Sequence, residues 1–246
     1  MTTAITLPEG APEEVITHAL VRDVDLNPFG GKGSLALITL DNGLDHTRPN
    51  TFGPQSVAAL DAAITDAASR KPAAIAITGK PFIFAAGADL SALSFLTERS
   101  QAVAIGKLGH DVFRRFDECG IPTFAFINGL ALGGGLEVGL HCKYRTLSAT
   151  AFTGLPEVFL GLVPGWGGAT ILPMLIGPEK AVHVIIANAL NNNTMMKAKD
   201  ALALGVVDSV FEPADFLERS IAFAASILNG SKKIERADHS KDAAWD

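Results

Sequence analysis

Two glutamates carry most of the proton-transfer chemistry that this sequence offers. Glu137 follows three consecutive glycines, and Glu157 lies in the apolar run Leu155–Leu160. Apolar surroundings raise the pKa of a carboxyl group toward the range in which it can exchange protons at neutral pH. A glutamate at a helix start is the structural alternative for Glu137, whereas burying Glu157 without a partner would be costly. The pair therefore predicts general acid–base chemistry.

The glycines beside Glu137 suggest what the glutamates act on. Gly133–Gly135 follow a predicted strand at Thr123–Ile127 and open a predicted helix that runs through Cys142. Unpaired N–H groups at a helix start can approach an oxygen that gains negative charge, because glycine has no Cβ in the way. This arrangement suits proton transfer beside a carbonyl that becomes an enolate. The glycines also match a dinucleotide-binding motif weakly, but no clear acidic residue follows at the end of a second strand.

A second turn of small residues repeats this pattern earlier in the chain. The predicted strand Ala73–Thr78 is followed by Ala85–Ala88, by Asp89 and by a helix-like segment at Leu90–Phe95. Asp89 is placed to cap that helix, whose first amides would again be exposed. We expect the two turns to donate two hydrogen bonds to one oxygen.

The remaining elements must position these groups. Alternating apolar residues predict a hairpin of Val15–Val24 and Leu35–Leu40, followed by a turn-rich loop over residues 41–54. The loop is long enough to line a site mouth, although solvated loop residues are the alternative for its three candidates, which are His46, Arg48 and Asn50.

Apolar residues at helical spacing predict several helices, which cover residues 55–69, 101–117, 169–176, 181–189, 197–204 and 215–228. Gly205 is the expected C-cap of the fifth helix. On the second helix, five apolar residues are expected in the core, and His110 is expected to be structural. The five are Ile105, Leu108, Val112, Phe113 and Phe116.

Composition restricts the class of protein. The 246 residues are 48% hydrophobic and 19% charged, with a net charge of -6 and a pI near 5.5, which argues against nucleic acid or an anionic membrane as partner. Cys119 and Cys142 are isolated, so neither a disulfide framework nor a metal site is expected. Without a leader or a long apolar run, we expect a cytoplasmic protein. We expect three parts: a flexible N-terminal lead at 1–13, one catalytic domain at 14–228 and a polar C-terminal tail at 229–246.

Taken together, five segments resemble the crotonase, or enoyl-CoA hydratase/isomerase, superfamily. They occur in the order and near the spacing of that family, and the resemblance runs from about residue 35 to residue 211. The segments are FAAGADL at 84–90, NGLALGGGLE at 128–137, LPEVFLG at 155–161, PGWGG at 164–168 and AKDALALGVVDSV at 198–210.

The resemblance implies an α/β fold, a crotonase-like spiral of repeated ββα units with C-terminal helices, which assembles as a homotrimer or hexamer. It implies an acyl-CoA thioester as substrate, so that coenzyme A enters as part of the substrate and no separate cofactor is expected. The oxyanion hole would be formed by the N–H groups of Ala88 and Gly134. The other implied substrate-binding residues are Ala86, Gly87, Asp89, Leu90, Gly133 and Gly165, the last near the attacking water.

Because both family glutamate positions are filled, the resemblance implies an enoyl-CoA hydratase of fatty-acid β-oxidation. Glu137 would activate water and Glu157 would deliver a proton to C2, so that water adds syn to a 2-enoyl-CoA and gives a 3-hydroxyacyl-CoA. The alternatives are another crotonase-type enzyme (an isomerase, hydrolase or decarboxylase) and a non-catalytic protein that binds CoA thioesters or serves as a scaffold. Family members normally continue with further helices, so we expect residues 229–246 to belong to a truncated chain or a longer protein.

Overall fold

The strands belong to two sheets, and from β3 to β8 successive strands alternate between them. The computed structural model of the protein describes residues 10–91, 93–242 and 245. In the larger sheet, β1 and β2 form the predicted antiparallel hairpin and the later strands run parallel. Its spatial order is β1 (His18–Asp25), β2 (Ser34–Asp41), β3 (Ala74–Gly79), β5 (Thr123–Ile127), β7 (Tyr144–Ser148) and β10 (Ser209–Phe211). The smaller sheet has the order β4 (Ile83–Ala85), β6 (Leu130–Leu132), β8 (Phe152–Gly154) and β9 (Met196–Lys197).

Three successive chain segments repeat one pattern. In each, the first strand joins the larger sheet, the second joins the smaller sheet and a helical segment follows. The predicted α/β class and its repeated ββα units are therefore confirmed. The helices are α1 (Pro54–Ser69), α2 (Arg99–Phe113), α3 (Arg115–Glu118), α4 (Gly134–Leu140), α5 (Gly168–Ile176), α6 (Pro178–Val182), α7 (Asn188–Leu190), α8 (Ala198–Leu204) and α9 (Phe216–Leu228), with a π-helical turn at His183–Ala187 between α6 and α7.

Both faces of the larger sheet are buried at β2, β3, β5 and β7, which explains why these strands read as apolar runs. On β2, Ala36 and Ile38 face a core shared with α1, α2, α4 and α5. Leu35 and Leu37 face the opposite side, where α9 covers the sheet with residues such as Phe223. The last helix thus closes the second face of the sheet.

The start of α1 depends on a residue that is distant in sequence. Pro54 occupies its first turn, and the buried carboxylate of Glu14 accepts hydrogen bonds from the backbone N–H groups of Gln55 and Ser56 at 2.9 and 2.8 Å. A carboxylate at this end of a helix satisfies unpaired N–H groups and interacts favourably with the helix dipole. Glu14 is therefore a helix cap supplied from outside the helix.

Several predicted boundaries are wrong in informative ways. The helix expected over 101–117 is interrupted at Arg114, and the helix expected through Cys142 ends at Leu140. Among its described residues, which exclude 92, the segment predicted as helical after Asp89 contains a 3₁₀ turn at Leu93–Phe95 and no α-helix. Asp89 accepts a hydrogen bond from the Ser91 N–H at 2.9 Å, so its carboxylate closes a local turn instead of capping a helix.

The polar segment after α9 packs along the larger sheet over the residues that the structure describes. Ile234 contacts the core beneath α9. Arg236 Nη2 donates to the buried carboxylate of Asp208 at 2.7 Å and to the Lys143 carbonyl at 2.8 Å. Trp245 is 46% exposed. The expected flexible lead lies mostly outside the described residues.

Candidate active site

The predicted site residues meet at one cavity of about 340 Å³. Both glutamates and both turns of small residues contribute to its wall. The ten residues are Ala86, Gly87, Ala88, Asp89, Leu90, Gly133, Gly134, Glu137, Glu157 and Gly165. A single concave site with few polar groups and mostly apolar walls is the usual form of a small-molecule site.

The first turn is held from behind by the loop that precedes α1. Phe52 pairs with Ala88 in an isolated parallel bridge, in which the Phe52 N–H donates to Gly87 O at 2.9 Å and Phe52 O accepts from the Asp89 N–H at 3.0 Å. In such a pairing the residue between the two bonds turns its own N–H to the opposite side. Within the described residues, the Ala88 N–H has no acceptor.

The second turn brings another N–H close to the first. Gly133 has φ +51° and ψ −126°, a conformation available almost only to glycine. A Cβ placed on Gly134, the next residue, would lie 3.6 Å from Ala88 N and 2.5 Å from Cε3 of Trp166. Gly134 N also has no acceptor in the described part of the chain. Two unpaired donors thus lie side by side, as an oxyanion hole requires.

Glu137 is held firmly by one of its two oxygens. Its side chain is 2% exposed, and Oε1 accepts hydrogen bonds from the backbone N–H groups of Trp166 at 2.8 Å and Gly168 at 2.9 Å. Burial, with a smaller contribution from the nearby Glu157, raises the pKa of Glu137 to about 7 even though the two N–H bonds lower it. The hydrogen bonds favour the ionised form of this carboxyl group.

Glu157 has a different environment. It begins the 3₁₀ turn Glu157–Leu160 after Pro156, and burial raises its pKa to about 7. Its Oε2 is buried and has no hydrogen-bond partner among the described residues. A Cβ on Gly133 would lie 2.6 Å from Oε1, so the carboxyl group stands directly against the glycine turn. A buried carboxyl oxygen without a hydrogen-bond donor favours the protonated form of the carboxyl group, unless a bound ligand supplies the missing hydrogen bond.

The two carboxyl groups therefore differ in a chemically useful way. Glu137 is surrounded by donors that stabilise a carboxylate, whereas the unpartnered oxygen of Glu157 favours a carboxylic acid. Environments that push two neighbouring carboxyl groups toward different protonation states are typical of paired acid–base catalysts. Because the groups interact, their titration belongs to the pair and not to either residue alone.

The apolar walls contain residues whose part in the site the sequence did not predict. Ile105 and Leu108 of α2 were assigned to the core, yet both line the cavity as well as packing against the core. Ala102 and Gly106 also line the cavity. Helical spacing could have identified them as lining residues, because they lie on the same face of α2 as Ile105. The further apolar lining residues are Phe52, Pro54, Val57, Leu96, Pro156, Leu160, Leu162, Val163 and Trp166.

The loop over residues 41–54 lines the cavity with the residues at its C-terminal end, whereas its three polar candidates, His46, Arg48 and Asn50, do not line the cavity. Phe52 and Gly53 line the cavity, whereas His46 and Arg48 are exposed outside it. Asn50 is fully buried and donates to the carbonyl oxygens of Leu40 and Phe84, both at 3.0 Å. Asn50 therefore ties the loop to the sheets.

A buried ammonium group holds the same loop together. Lys80 is 5% exposed, and its Nζ donates to the carbonyl oxygens of Leu44, Asp45 and Arg48 at 2.9, 3.0 and 2.7 Å and to the Asn42 side chain. Satisfying the donors of a buried cation in this way offsets the cost of its desolvation. Lys80 thus serves as an internal cation around which the loop folds.

Within residues 10–91, 93–242 and 245, no three histidine, cysteine or acidic side chains are grouped so that they could bind a metal ion. Over the same residues, no helix has the length and apolar character that crossing a bilayer requires.

Comparison with known proteins agrees with the geometry. Residues 30–243 match the family model described as enoyl-CoA hydratase/isomerase. The fatty acid oxidation complex subunit alpha of Shewanella loihica is 36% identical over 81% of this chain, and that of Pseudomonas paraeruginosa is 38% identical over 70%. The matched regions are 29% and 23% of those two proteins, so the chain spans less than a third of the length of these relatives.

Solved structures show the same fold. An enoyl-CoA hydratase from Bacillus anthracis superposes with a TM-score of 0.73 at 25% identity, covering 86% of this chain and 76% of that one. DspI of Pseudomonas aeruginosa superposes with a TM-score of 0.72 at 28% identity, covering 90% and 84% of the two chains. This chain belongs to the enoyl-CoA hydratase/isomerase family of the crotonase superfamily.

Proposed function

We propose that this chain is an enoyl-CoA hydratase that adds water syn across the double bond of 2-enoyl-CoA thioesters. The observation that carries the proposal is the pair of buried carboxyl groups: one is held by two N–H groups, and the other presents an unpartnered oxygen in the same cavity. The family membership and the names of the fatty-acid oxidation relatives support an acyl-CoA substrate and a place in fatty-acid β-oxidation.

The groups of the site have distinct tasks in this reaction. The thioester oxygen accepts hydrogen bonds from the N–H groups of Ala88 and Gly134, which stabilise the enolate as negative charge develops. The Glu137 carboxylate takes one proton from water while the water oxygen bonds to C3. The carboxylic acid of Glu157 then gives its proton to C2, and the product is a 3-hydroxyacyl-CoA. One proton is taken and one is given, so the pair ends with its protonation states exchanged.

The remaining predicted residues form the surroundings of the bound thioester. Ala86, Gly87, Asp89 and Leu90 border the cavity along the first turn, and we assign them to the CoA portion. Gly133 keeps the backbone open beside Glu157, because a Cβ there would collide with the carboxyl oxygen. Gly165 borders the cavity at the turn that holds Glu137, next to the water.

The proposal is tested by following crotonyl-CoA, whose conjugated thioester absorbance disappears on hydration. Loss of absorbance with the wild-type chain, slowed at least ~10²-fold in Glu137→Gln, is the expected result. Conversion of a 3-enoyl-CoA to the conjugated isomer without hydration would instead identify an isomerase. Release of free CoA would identify a hydrolase. Calorimetric binding of a non-reactive acyl-CoA without turnover of any thioester would identify a binding protein.

We also propose that the chain associates with copies of itself, as family members in trimers and hexamers do. The support is an apolar face on the helical segment from α6 to α7, where Val182, Ile186 and Leu190 are 54%, 43% and 65% exposed. The neighbouring turn adds Phe159, which is 58% exposed. Monomeric proteins rarely expose contiguous apolar patches of this kind.

A further inference from the structure

A buried imidazole lies behind the active site and takes no part in the proposed proton transfers. His141 follows α4 directly and lies one helical turn after Glu137, so both side chains leave the same face of the helix. It is 6% exposed, and its Nε2 lies 2.8 Å from the backbone carbonyl oxygen of Trp166. Because a carbonyl oxygen can only accept, Nε2 carries the proton and donates it.

This bond belongs to the turn that holds Glu137. Three consecutive peptide units run from Gly165 to Gly168. The first and third units donate the N–H groups of Trp166 and Gly168 to Glu137 Oε1, and the middle unit directs its carbonyl to His141. Because each peptide unit is planar, fixing the middle carbonyl constrains the orientation of the units on either side.

The turn and the imidazole also fit each other sterically. Gly167, at the centre of the turn, has φ +126°, a value that disfavours any residue with a Cβ. A Cβ at this position would lie 2.5 Å from His141 Nε2. The imidazole thus occupies the space left by the glycine, and the turn has little freedom to rotate while the ring is in place.

We propose that His141 is a positioning residue, which holds the turn from Gly165 to Gly168 in the one conformation that presents two N–H groups to Glu137. Through this turn it fixes the carboxylate that takes the proton from water, so the inference extends the proposed function. Without the imidazole the middle peptide unit can rotate, and one N–H group leaves Oε1. Since each such bond favours the ionised form, its loss raises the pKa of Glu137.

Among the described residues, few charged or titratable groups surround this arrangement. Glu157 faces Glu137 across the cavity. His110 of α2 contacts the His141 ring edge to face, with ring centroids 5.9 Å apart, and Arg114 and Asp117 are the other charged neighbours. Burial lowers the pKa of His141, and the nearby His110 and Arg114 act in the same direction. The imidazole therefore stays neutral at neutral pH.

Three substitutions separate positioning from simple packing. In His141→Gln the side-chain amide nitrogen can replace Nε2 as the donor to Trp166 O. His141→Leu removes the donor. His141→Asn keeps an amide group, but its side chain is too short to reach Trp166 O. Two readouts apply to each folded variant: the titration of ¹³C-labelled glutamate carboxyl groups by NMR, with the Glu137 signal assigned from Glu137→Gln, and the pH profile of crotonyl-CoA hydration.

In the leucine and asparagine variants, the Glu137 titration should shift upward by about 1 pH unit, the scale expected for one lost N–H bond to a carboxylate. In the same variants kcat should fall at least ~10-fold with KM within ~3-fold, while the glutamine variant should stay near wild type on both readouts. An unshifted Glu137 titration in folded leucine or asparagine variants, or a glutamine variant that behaves like leucine, would overturn the proposal. If the wild type hydrates no thioester, the proposed function fails, and the NMR titration still decides the role of His141.

Discussion

At the scale of single residues, the site depends on two glutamates of the same type placed in different environments. Glu137 is held by two backbone N–H groups, and Glu157 exposes an unpartnered oxygen to the cavity. Burial raises the pKa of both residues to about 7, so burial does not distinguish them. What distinguishes them is the number of backbone N–H groups that bind each carboxyl group. The distinct roles that we propose for them therefore follow from hydrogen bonding more than from burial.

The first prediction concerns catalysis by this pair. Glu137→Gln and Glu157→Gln should each lower kcat by at least ~10²-fold, the usual scale for a general acid or base, with KM changed much less. The amide keeps the shape of each side chain but cannot exchange protons. Steady-state kinetics with crotonyl-CoA measures both constants, and an exposed glutamate changed in the same way, Glu235→Gln, is the control. Full activity in either single variant would remove that residue from the mechanism.

The second prediction concerns stability and pH. The pKa of Glu137 is raised from 4.5 to about 7 on folding, so its contribution to stability is complete below pH 4.5 and is lost as pH rises through 7. The full difference corresponds to about 3 kcal/mol in the free energy of unfolding. The glutamine of Glu137→Gln stays neutral at both pH values. The free energy of unfolding of this variant minus that of the wild type should therefore be larger at pH 8 than at pH 5.

Urea unfolding of both proteins at the two pH values measures this difference, with Glu235→Gln again as control. An equal effect of the substitution at pH 5 and pH 8 would show that Glu137 is already ionised at pH 5.

Residue types and their neighbours in sequence predicted Glu137 and Glu157 as acid–base candidates, and the structure places both at one cavity. They could not predict Glu14 or Lys80, because each acts on backbone groups more than thirty residues away. Nothing in the local sequence of Glu14 indicates that it caps α1. The pairing of a buried cation or anion with a distant loop becomes visible only when the chain is folded.

At the scale of elements, the site is built where strands of the smaller sheet end beside the glycine turns. The sequence predicted both turns but missed β6, since three residues between two glycine-containing turns give too short a pattern. It also treated α2 as a core helix. One face of α2 packs on the core and also borders the cavity. Apolar residues at helical spacing look the same in sequence whether they line a cavity or pack in a core.

The third prediction compares two glycines on α4. A Cβ on Gly135 would overlap the backbone carbonyl of Ala85, so Gly135→Ala must push α4 away from β4 and should cost at least about 2 kcal/mol. A Cβ on Gly139 would lie 3.4 Å from the Ile127 side chain, so Gly139→Ala should be close to neutral. Thermal unfolding of the two variants measures the contrast. Equal stabilities would mean that α4 and β4 can separate without cost.

The fourth prediction concerns the loop around Lys80. Lys80→Met keeps the length of the side chain but leaves three buried or partly buried carbonyl groups without their donor, which should cost roughly 3 kcal/mol. The loop leads to Phe52, which holds the Ala88 turn, so acyl-CoA binding should weaken as well. Lys107→Met, at an exposed lysine, is the matched control. Unchanged stability and binding in Lys80→Met would show that the loop folds without its cation.

At the scale of the whole molecule, the described residues form one continuous structure in which the last helix covers the sheet. The resemblance to a known family predicted this architecture correctly, since three ββα units follow one another in the chain. It did not predict how residues 229–242 pack. Arg236 binds Asp208, whose other oxygen accepts the Arg145 N–H at 2.7 Å, so the segment is anchored to β7 through one carboxylate.

The fifth prediction concerns association. If copies of the chain bind through the helical segment from α6 to α7, Ile186→Glu and Leu190→Glu should lower the molar mass measured by light scattering, because a charge would be buried in the interface. Leu20→Glu, at an equally exposed leucine on β1, should leave the mass unchanged. A wild-type protein with the mass of a single chain at high concentration would contradict the proposed self-association.

The division of each unit between two sheets also has a consequence for how the protein folds. The donors at Ala88 and Gly134 belong to successive units, and Phe52 of the preceding segment must already be in place behind the first of them. Parallel strands cannot pair as local hairpins, and closing long loops before any contact forms is slow. We therefore expect the pocket to acquire ligand affinity only in a late kinetic phase, after most of the helical signal has appeared. In cells, a chain still on the ribosome would remain unable to retain the proposed acyl-CoA ligand until the turn that holds Glu137 has emerged.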